Sequence, residues 1–577
     1  YRPLCTRIDK YYNAVQLLAT TERFLVFHCS FCGSVMKSRN GADILIEALI
    51  ANGVDTIFGL PGVQIMPIFD ALAKTPEIRL ITVRHEQAAA YMADGYARSS
   101  GKPGVALVVP GPGALNATAA IGTAYSASSP VLLISGQIWL KDIGRHHGAL
   151  HQINDQLDVF KPITKWAERI TKVQDIPEVV ARAFRELLTG RPRPVEIELP
   201  PDVLADDSDV VIQTAQLDGT GFPEEAVFAE ALLALCNAKK ILILAGDGAQ
   251  SGDSSQQLRG LAELLHAPVI TTPEGKGVIP EDHPLALGAA YYGFGVARAL
   301  IPKADLIVTV GARANRDMSG IPELGAGQLS VQIDVDPTEV QLTSPTATAL
   351  IGDVAQILRE LTSRLRGSRL STTGWELAEL DDARNWSDWN ISKVTTYQKS
   401  VIDTLRDVLP LDSIVIAGVT NPAYWAHLTF PSYASGTYLT SAYFATLGFA
   451  FPTALGAKVA NPDSPVVALT GDGGFLYNLS ELATAAQHGI NIVIVLFNDG
   501  AFGASLNDQQ TQYQGRVLGT EIRNPDFMAL AKAFGIVGMR TNLEEFGETL
   551  RYALTIKSTV LLELPIQTAV PPFQASA

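Results

Sequence analysis

Two apolar runs near the C-terminal end of the chain each open onto a short polar turn. Pro465 to Thr470 leads into Gly471-Asp472-Gly473-Gly474, and Ile490 to Phe497 leads into Asn498-Asp499-Gly500. Short apolar runs bounded by glycine-rich turns predict buried strands. The segment between them reads as a helix, with Asn478 as its cap, Glu481 three residues on as a capping-box partner and Gly489 as a left-handed stop. Such a strand, helix, strand unit makes a right-handed crossover between parallel strands. Asp472 and Asp499 are therefore expected at one C-terminal sheet edge, where ligands bind in open α/β sheets.

The same alternation recurs along the chain. From Gly41 to Ala127 helices and strands alternate, and Ile81-Thr82-Val83-Arg84-His85-Glu86-Gln87 passes from strand into helix, leaving Glu86 half inside the fold. The expected fold class is α/β, with three doubly wound domains built on mainly parallel sheets. The first domain spans 36–201, its last strand Val195 to Leu199 alternating before Pro200-Pro201, and an acidic linker runs on to Gly221. The second spans 222–365, with strands expected at Ile241 to Ala245, Val269 to Thr271, Leu306 to Val310 and Val331 to Val335. Residues 366–392, which hold three of the six tryptophans, read as a linker packed over the surface, and the third domain spans 393–566. Residues 1–35 precede the first methionine, Met36, show no helix caps or clean periodicity, and are expected to be a dispensable extension.

Composition narrows the picture modestly. A chain of 577 residues exceeds one core, and 47% hydrophobic with 18% charged residues fits a well-buried α/β protein. A net charge of −15 argues against nucleic-acid or anionic-membrane partners, and no apolar run is long enough to span a membrane. Cytoplasmic placement is expected. Four cysteines make no disulfide framework, and Cys29 and Cys32 lack a second ligand pair for zinc.

Chemistry concentrates at the strand ends. Two carboxylates at one edge, followed by glycines that expose backbone N–H groups, would hold a magnesium ion and a diphosphate. The alternative is that Gly-Asp-Gly merely ends a strand, and the chain offers a control. Gly246-Asp247-Gly248 also follows an apolar run, and Glu274 stands at the same separation from Asp247 as Asp499 from Asp472, yet no Asn-Asp pair follows the next strand. Glu86 likewise has two readings: a carboxylate accepting backbone N–H groups at a helix start, or a functional acid.

Arg84-His85-Glu86, Asp94-Gly95-Tyr96-Ala97-Arg98 and Gly111-Pro112-Gly113-Ala114-Leu115-Asn116 together resemble the pyrimidine-binding domain of thiamine diphosphate enzymes, and the Gly471 to Asp499 unit resembles their diphosphate-binding domain. Within that family the pattern is similar to the acetohydroxyacid (acetolactate) synthase branch from about Lys37 to Pro565, through Pro61-Gly62, Lys161 to Trp166, Gly448-Phe449 and Leu482-Ala483-Thr484. The resemblance implies that Glu86 hydrogen-bonds the aminopyrimidine ring of thiamine diphosphate and promotes deprotonation of the thiazolium carbon. It implies that Gly471, Asp472, Gly473, Gly474 and Asp499 bind the diphosphate end, that Asp472, Asp499 and the Ala501 carbonyl hold Mg2+, and that Leu447 sits under the cofactor where synthases carry methionine. Glu86 and Asp472 would serve opposite ends of one cofactor from different subunits, in a homodimer or homotetramer acting on a small 2-oxo acid.

Other positions depart from the synthases. Thr420-Asn421-Pro422-Ala423 stands where they carry Gly-Gln-His-Gln, so Asn421 can donate to an oxygen but Pro422 cannot replace an imidazole. His146-His147 resembles the paired histidines of pyruvate decarboxylase-like enzymes, though Gly144 and Gly148 also fit a solvated loop, and Gln152 falls on a substrate-contacting glutamine. Asp317, beside Arg316, matches an arginine that holds the second 2-oxo acid, and Asp508 matches a tryptophan of the acceptor pocket. Gly311-Ala312-Arg313 and Asp334-Val335-Asp336 resemble flavin-contacting positions, but related decarboxylases keep this fold without FAD, which stays open. The expectation is a decarboxylating enzyme or carboligase whose second step uses a proton or an uncharged aldehyde more readily than a second 2-oxo acid. A non-catalytic nucleotide-binding or regulatory protein is the alternative class, and intact Glu86 beside a complete metal unit speaks against it.

Overall fold

The computed structural model describes residues 39–217, 219–313, 328–343, 347–441 and 443–575. The expectations placed on residues 1–35, on Cys29 and Cys32, and on Arg316 and Asp317 lie outside the described residues. Three six-stranded sheets organise the rest. All pairings within them are parallel, and most of their strands are buried on both faces, as parallel sheets wrapped by helices require.

The first sheet uses the strands Thr56–Gly59, Arg79–Thr82, Gly104–Val108, Val131–Gly136, Trp166–Arg169 and Val195–Leu199. The third uses Ile414–Ala417, Tyr438–Thr440, Val466–Gly471, Val493–Asn498, Val537–Arg540 and Val560–Pro565. In both, the spatial order is second, first, third, fourth, sixth, fifth. The second sheet uses Ile241–Ala245, Val269–Thr271, Ala286–Ala289, Leu306–Val310, Leu329–Asp334 and Thr348–Ile351, in the order third, second, first, fourth, fifth, sixth. Its direction reverses between the first and fourth strands, the switch point of a dinucleotide-type fold.

The first and third sheets share one core. Phe58, Ile81 and Val108 from one and Ile416, Ala468 and Ile494 from the other belong to a single buried cluster. Between the two sheets the helices Glu86–Ser100 and Ala450–Ala460 pack together so closely that glycine is obligatory. A Cβ on Gly95 would lie 2.0 Å from the Thr453 carbonyl oxygen, and one on Gly456 would lie 1.9 Å from that of Met92. Backbone therefore meets backbone where any side chain would force the helices apart.

Two segments carry more than their patterns stated, and one local expectation is corrected. The alternating strand Val195–Leu199 exposes neither face: Glu196 and Glu198 are both buried, held by Ser135, Gln137, Gln156 and Arg169. The segment expected as a linker carries the helix Leu377–Val394, closed by a capping box between Glu376 and Glu379. The expected helix begins at Glu481 after Ser480, beyond a short helix Asp472–Leu476, rather than being capped by Asn478. Asn478 is drawn instead to the Gly448 carbonyl and the Gln87 side chain, so its side chain does not cap the helix. The left-handed stop at Gly489 is present, with φ 60°. Among the described residues no helix is long and apolar enough to cross a membrane.

Candidate active site

The strands Val466–Gly471 and Val493–Asn498 are neighbours, with Gly471 opposite Phe497, so their turns leave the sheet side by side. The Asp472 carboxylate spans the gap. One oxygen accepts the Gly473 N–H at 2.9 Å, and the other accepts the Gly500 N–H at 2.9 Å and the Asn524 amide at 2.5 Å. Asp499 accepts the Ala501 N–H at 3.4 Å on one oxygen and the Thr568 hydroxyl at 3.3 Å on the other. Burial pushes Asp472 above the usual carboxylate range, and burial together with the Asp472 charge pushes Asp499 up to about 6.

No basic side chain among the described residues offsets either acid, and the Asn524 side-chain oxygen beside them is buried with no donor. Two carboxylates and the Ala501 backbone offer oxygens suited to a hard divalent cation, and the Asn524 amide N–H is turned toward Asp472. No cluster of three or more His, Cys, Asp or Glu exists among the described residues, so a cation here needs oxygens from outside the side-chain acids. A diphosphate supplies such oxygens, and the donor chemistry fits a magnesium–diphosphate pair. Leu447 faces this edge, its Cδ2 lying 3.7 Å from where a Cβ on Gly474 would stand.

Glu86 opens the helix Glu86–Ser100 and is 8% exposed. It does not cap that helix: the cap is His85, whose Nδ1 accepts the Gln87 N–H at 3.1 Å. The Glu86 carboxylate instead accepts the Asn116 amide at 2.9 Å. Its other oxygen accepts no hydrogen bond among the described residues and faces Gly113, where a Cβ would intrude to 3.2 Å. The Gly111 to Asn116 motif thus shapes the space in front of Glu86. By contrast, Asp94 to Arg98 lies away from it. Arg98 pairs with Glu274 of the second sheet at 2.8 Å and donates to the Thr440 carbonyl of the third, tying all three sheets together.

The remaining expected contacts are placed as follows. Asn421 is 9% exposed and already engaged: its amide donates to the Ala569 carbonyl at 2.5 Å and its oxygen accepts from Gln398 at 3.1 Å. Gln152 accepts the Gly148 and Ala149 N–H groups, while its Nε2 is buried without a partner. His147 is exposed and contacts Asp142 at 3.1 Å within a loop bounded by the left-handed Gly144 and Gly148. Asp508 lies on the helix Gly503–Thr511. At the switch point of the second sheet, the Gly248 N–H donates to the Gly311 carbonyl at 2.9 Å, joining the Gly246-Asp247-Gly248 turn to the Gly311-Ala312-Arg313 segment that resembles a flavin contact.

Three side chains at the site carried no sequence signal for it. Asn524 stands in Arg523-Asn524-Pro525-Asp526, which reads as a turn ahead of the helix that Asp526 caps. Thr568 sits beyond the last strand, and Asn116 ends the Gly111 to Asn116 motif with nothing in the pattern to mark it as a partner of Glu86.

Glu86 thus follows a strand end of the first sheet, and Asp472 and Asp499 stand together at an edge of the third, a sheet of the same strand order. Comparison with known families agrees. Residues 39–159 match the N-terminal TPP binding domain of thiamine pyrophosphate enzymes, 228–361 their central domain and 418–564 their C-terminal TPP binding domain. The chain belongs to the thiamine pyrophosphate-dependent enzymes. A probable acetolactate synthase large subunit of Methanococcus aeolicus is 35% identical across 92% of this chain and 94% of its own length. A probable 2-ketoarginine decarboxylase, AruI of Pseudomonas aeruginosa, is also 35% identical across 92% and 94%. Acetolactate synthase isozyme 3 large subunit of Escherichia coli is 32% identical across 88% and 90%.

Proposed function

We propose that the protein is a thiamine diphosphate- and magnesium-dependent enzyme that decarboxylates a 2-oxo acid, working in the cytoplasm as a homodimer or homotetramer with Glu86 of one copy serving the metal edge of another. The observation that carries this reading is the reach of Asp472 to the Gly500 N–H, which makes two acid-bearing turns into one cation-binding edge. Asp472, Asp499 and the Ala501 carbonyl would hold the magnesium, and Asn524 steadies Asp472. When bound, thiamine diphosphate supplies the nucleophilic carbon and electron sink that decarboxylation of a 2-oxo acid needs. Glu86 would hold or pass a proton at a ring nitrogen of the cofactor, with its Asn116-bound oxygen fixing the orientation of the other. Leu447 would keep water from the reacting face.

Two outcomes of that chemistry compete. The acetolactate synthases among the relatives join two 2-oxo acids. Asp317 matches the arginine with which synthases hold the second 2-oxo acid, where an aspartate would repel a carboxylate, and Asp508, on the helix that follows the Asp499 turn, matches a tryptophan of their acceptor pocket. The relative described as a 2-ketoarginine decarboxylase favours a second reading, simple decarboxylation of a 2-oxo acid whose side chain is uncharged or cationic. Both are tested by supplying reconstituted protein with pyruvate, 2-ketoarginine and an aldehyde, and measuring carbon dioxide, aldehyde and acetolactate separately. Acetolactate as the dominant product would establish the synthase. Glu86→Gln should retain the cofactor and lose roughly 10²–10⁴-fold in rate; activity within a few-fold of wild type would remove Glu86 from the mechanism.

A further inference from the structure

The helix Glu481–His488 is the crossover between the two acid-bearing strands, and its side chains reach across to the first domain. Glu481 is fully buried, and both of its carboxylate oxygens accept the Arg84 N–H, at 3.0 and 3.2 Å. The Thr484 hydroxyl donates to it at 2.6 Å. On either side of this contact His488 Nε2 accepts the Thr82 N–H at 3.0 Å, and the Asn478 amide donates to the Gln87 side-chain oxygen at 3.2 Å. The segment 82–87, with Glu86 inside it, is thus gripped at three points by the element that joins Asp472 to Asp499.

Ordinary helix capping does not explain the middle contact. The helix that Glu86 opens already has His85 as its cap, and Arg84 lies outside that helix. Nor does Glu481 cap its own helix. A carboxylate buried between two domains is costly unless its hydrogen bonds are satisfied, and here they are satisfied by the backbone two residues ahead of Glu86. Burial pushes Glu481 up to about 7, against the lowering effects of Thr484, the Arg84 and His85 N–H groups and the Arg84 charge.

We propose that Glu481 is a positioning residue for Glu86: its grip on the Arg84 backbone sets where the Glu86 carboxylate stands, so that one crossover helix holds both the metal edge and the turn of the proton-transferring acid. The proposal rests on the reading that Glu86 activates thiamine diphosphate. Rates of this kind fall by up to about 10²-fold when a remote change displaces a reacting group by about an ångström.

The test compares wild type with Glu481→Ala and Glu481→Gln, each reconstituted with thiamine diphosphate and magnesium. Three readouts are taken: exchange of the cofactor's C2 proton with deuterium in the absence of substrate, cofactor affinity from tryptophan fluorescence, and amide hydrogen exchange across residues 82–88 in the cofactor-free protein. Glu481→Ala should slow C2 exchange by roughly 10–100-fold, speed amide exchange at 82–88, and change cofactor affinity by less than about 3-fold. Glu481→Gln, which keeps one acceptor oxygen, should recover part of the loss, and it carries the test should Glu481→Ala fail to fold. Wild-type C2 exchange in a folded Glu481→Ala or Glu481→Gln protein overturns this inference alone. A wild-type protein that binds no thiamine diphosphate overturns the proposed function and this inference with it.

Discussion

The edge of the second sheet at Gly246-Asp247-Gly248 and the edge of the third at Gly471-Asp472-Gly473 begin from the same local plan. In each, a buried parallel strand ends in Gly-Asp-Gly, and the neighbouring strand ends near a second acid, Glu274 or Asp499. What surrounds them differs. Glu274 pairs with Arg98, and the Asp247 charge acts on Arg98 and Arg191, while the Gly248 N–H is bonded to Gly311. In the third sheet Asp472 reaches the Asp499 turn through the Gly500 N–H and also accepts from Asn524, and no basic side chain among the described residues lies against either acid. One edge is electrically closed and serves to join domains. The other is left short of positive charge, the condition for recruiting a cation.

Breaking the closed edge should have the largest effect. Arg98→Ala removes the guanidinium that faces the wholly buried Asp94 at 3.6 Å and Glu274 at 2.8 Å. Losing one partner of a buried ion pair costs about 3–5 kcal/mol, so urea or thermal unfolding should show a large destabilisation. Unchanged unfolding would mean that this edge is not held by charge.

The open edge should respond in ligand affinity instead. Asp472→Ala is expected to raise the magnesium concentration needed for cofactor binding by roughly 10²-fold or more, while Asp247→Ala shifts it by less than about 2-fold. Parallel magnesium titrations followed by fluorescence decide it, and equal responses would erase the distinction between the two turns.

The smallest effect concerns Asp334 at the second edge, which burial pushes up to about 6, with Asp247 and Glu339 raising it and Arg191 and the Asp336 N–H lowering it. The folded protein therefore holds this proton to a higher pH than the unfolded chain does. Stability from Asp334 is present below about pH 4 and is lost as pH rises toward 6. Asp334→Asn lacks that loss, so its stability relative to wild type should grow by about 1–3 kcal/mol between pH 4 and pH 7 and then level off. A pH-independent difference in denaturant midpoint would contradict the shift.

Much of this was legible along the chain. The strands Ile241–Ala245, Val269–Thr271 and Leu306–Val310 coincide with their apolar runs, because a strand buried on both faces is mostly apolar along its length. The approach of Asp472 and Asp499 to one edge follows from the crossover rule. The capping role expected of Glu481 failed for an instructive reason. The spacing from Asn478 satisfies the local pattern, but Asn478 finds better partners in Gly448 and Gln87, and Glu481 finds Arg84. Local pattern could not weigh those competitors. Asn421 is a similar case, its amide taken by Ala569 from beyond the last strand.

Strand positions, the placement of acids at strand ends and the repeated α/β order all depend on neighbours within a few turns of chain, and residue order determines them directly. Which Gly-Asp-Gly turn is left without a counter-charge among the described residues does not. That depends on whether a counter-charge arrives from elsewhere, as Arg98 does to Glu274 across 176 residues of sequence. Coulomb and hydrogen-bond energies depend on separation in space, and only the folded arrangement of the three sheets brings an arginine to one acidic edge and, among the described residues, none to the other.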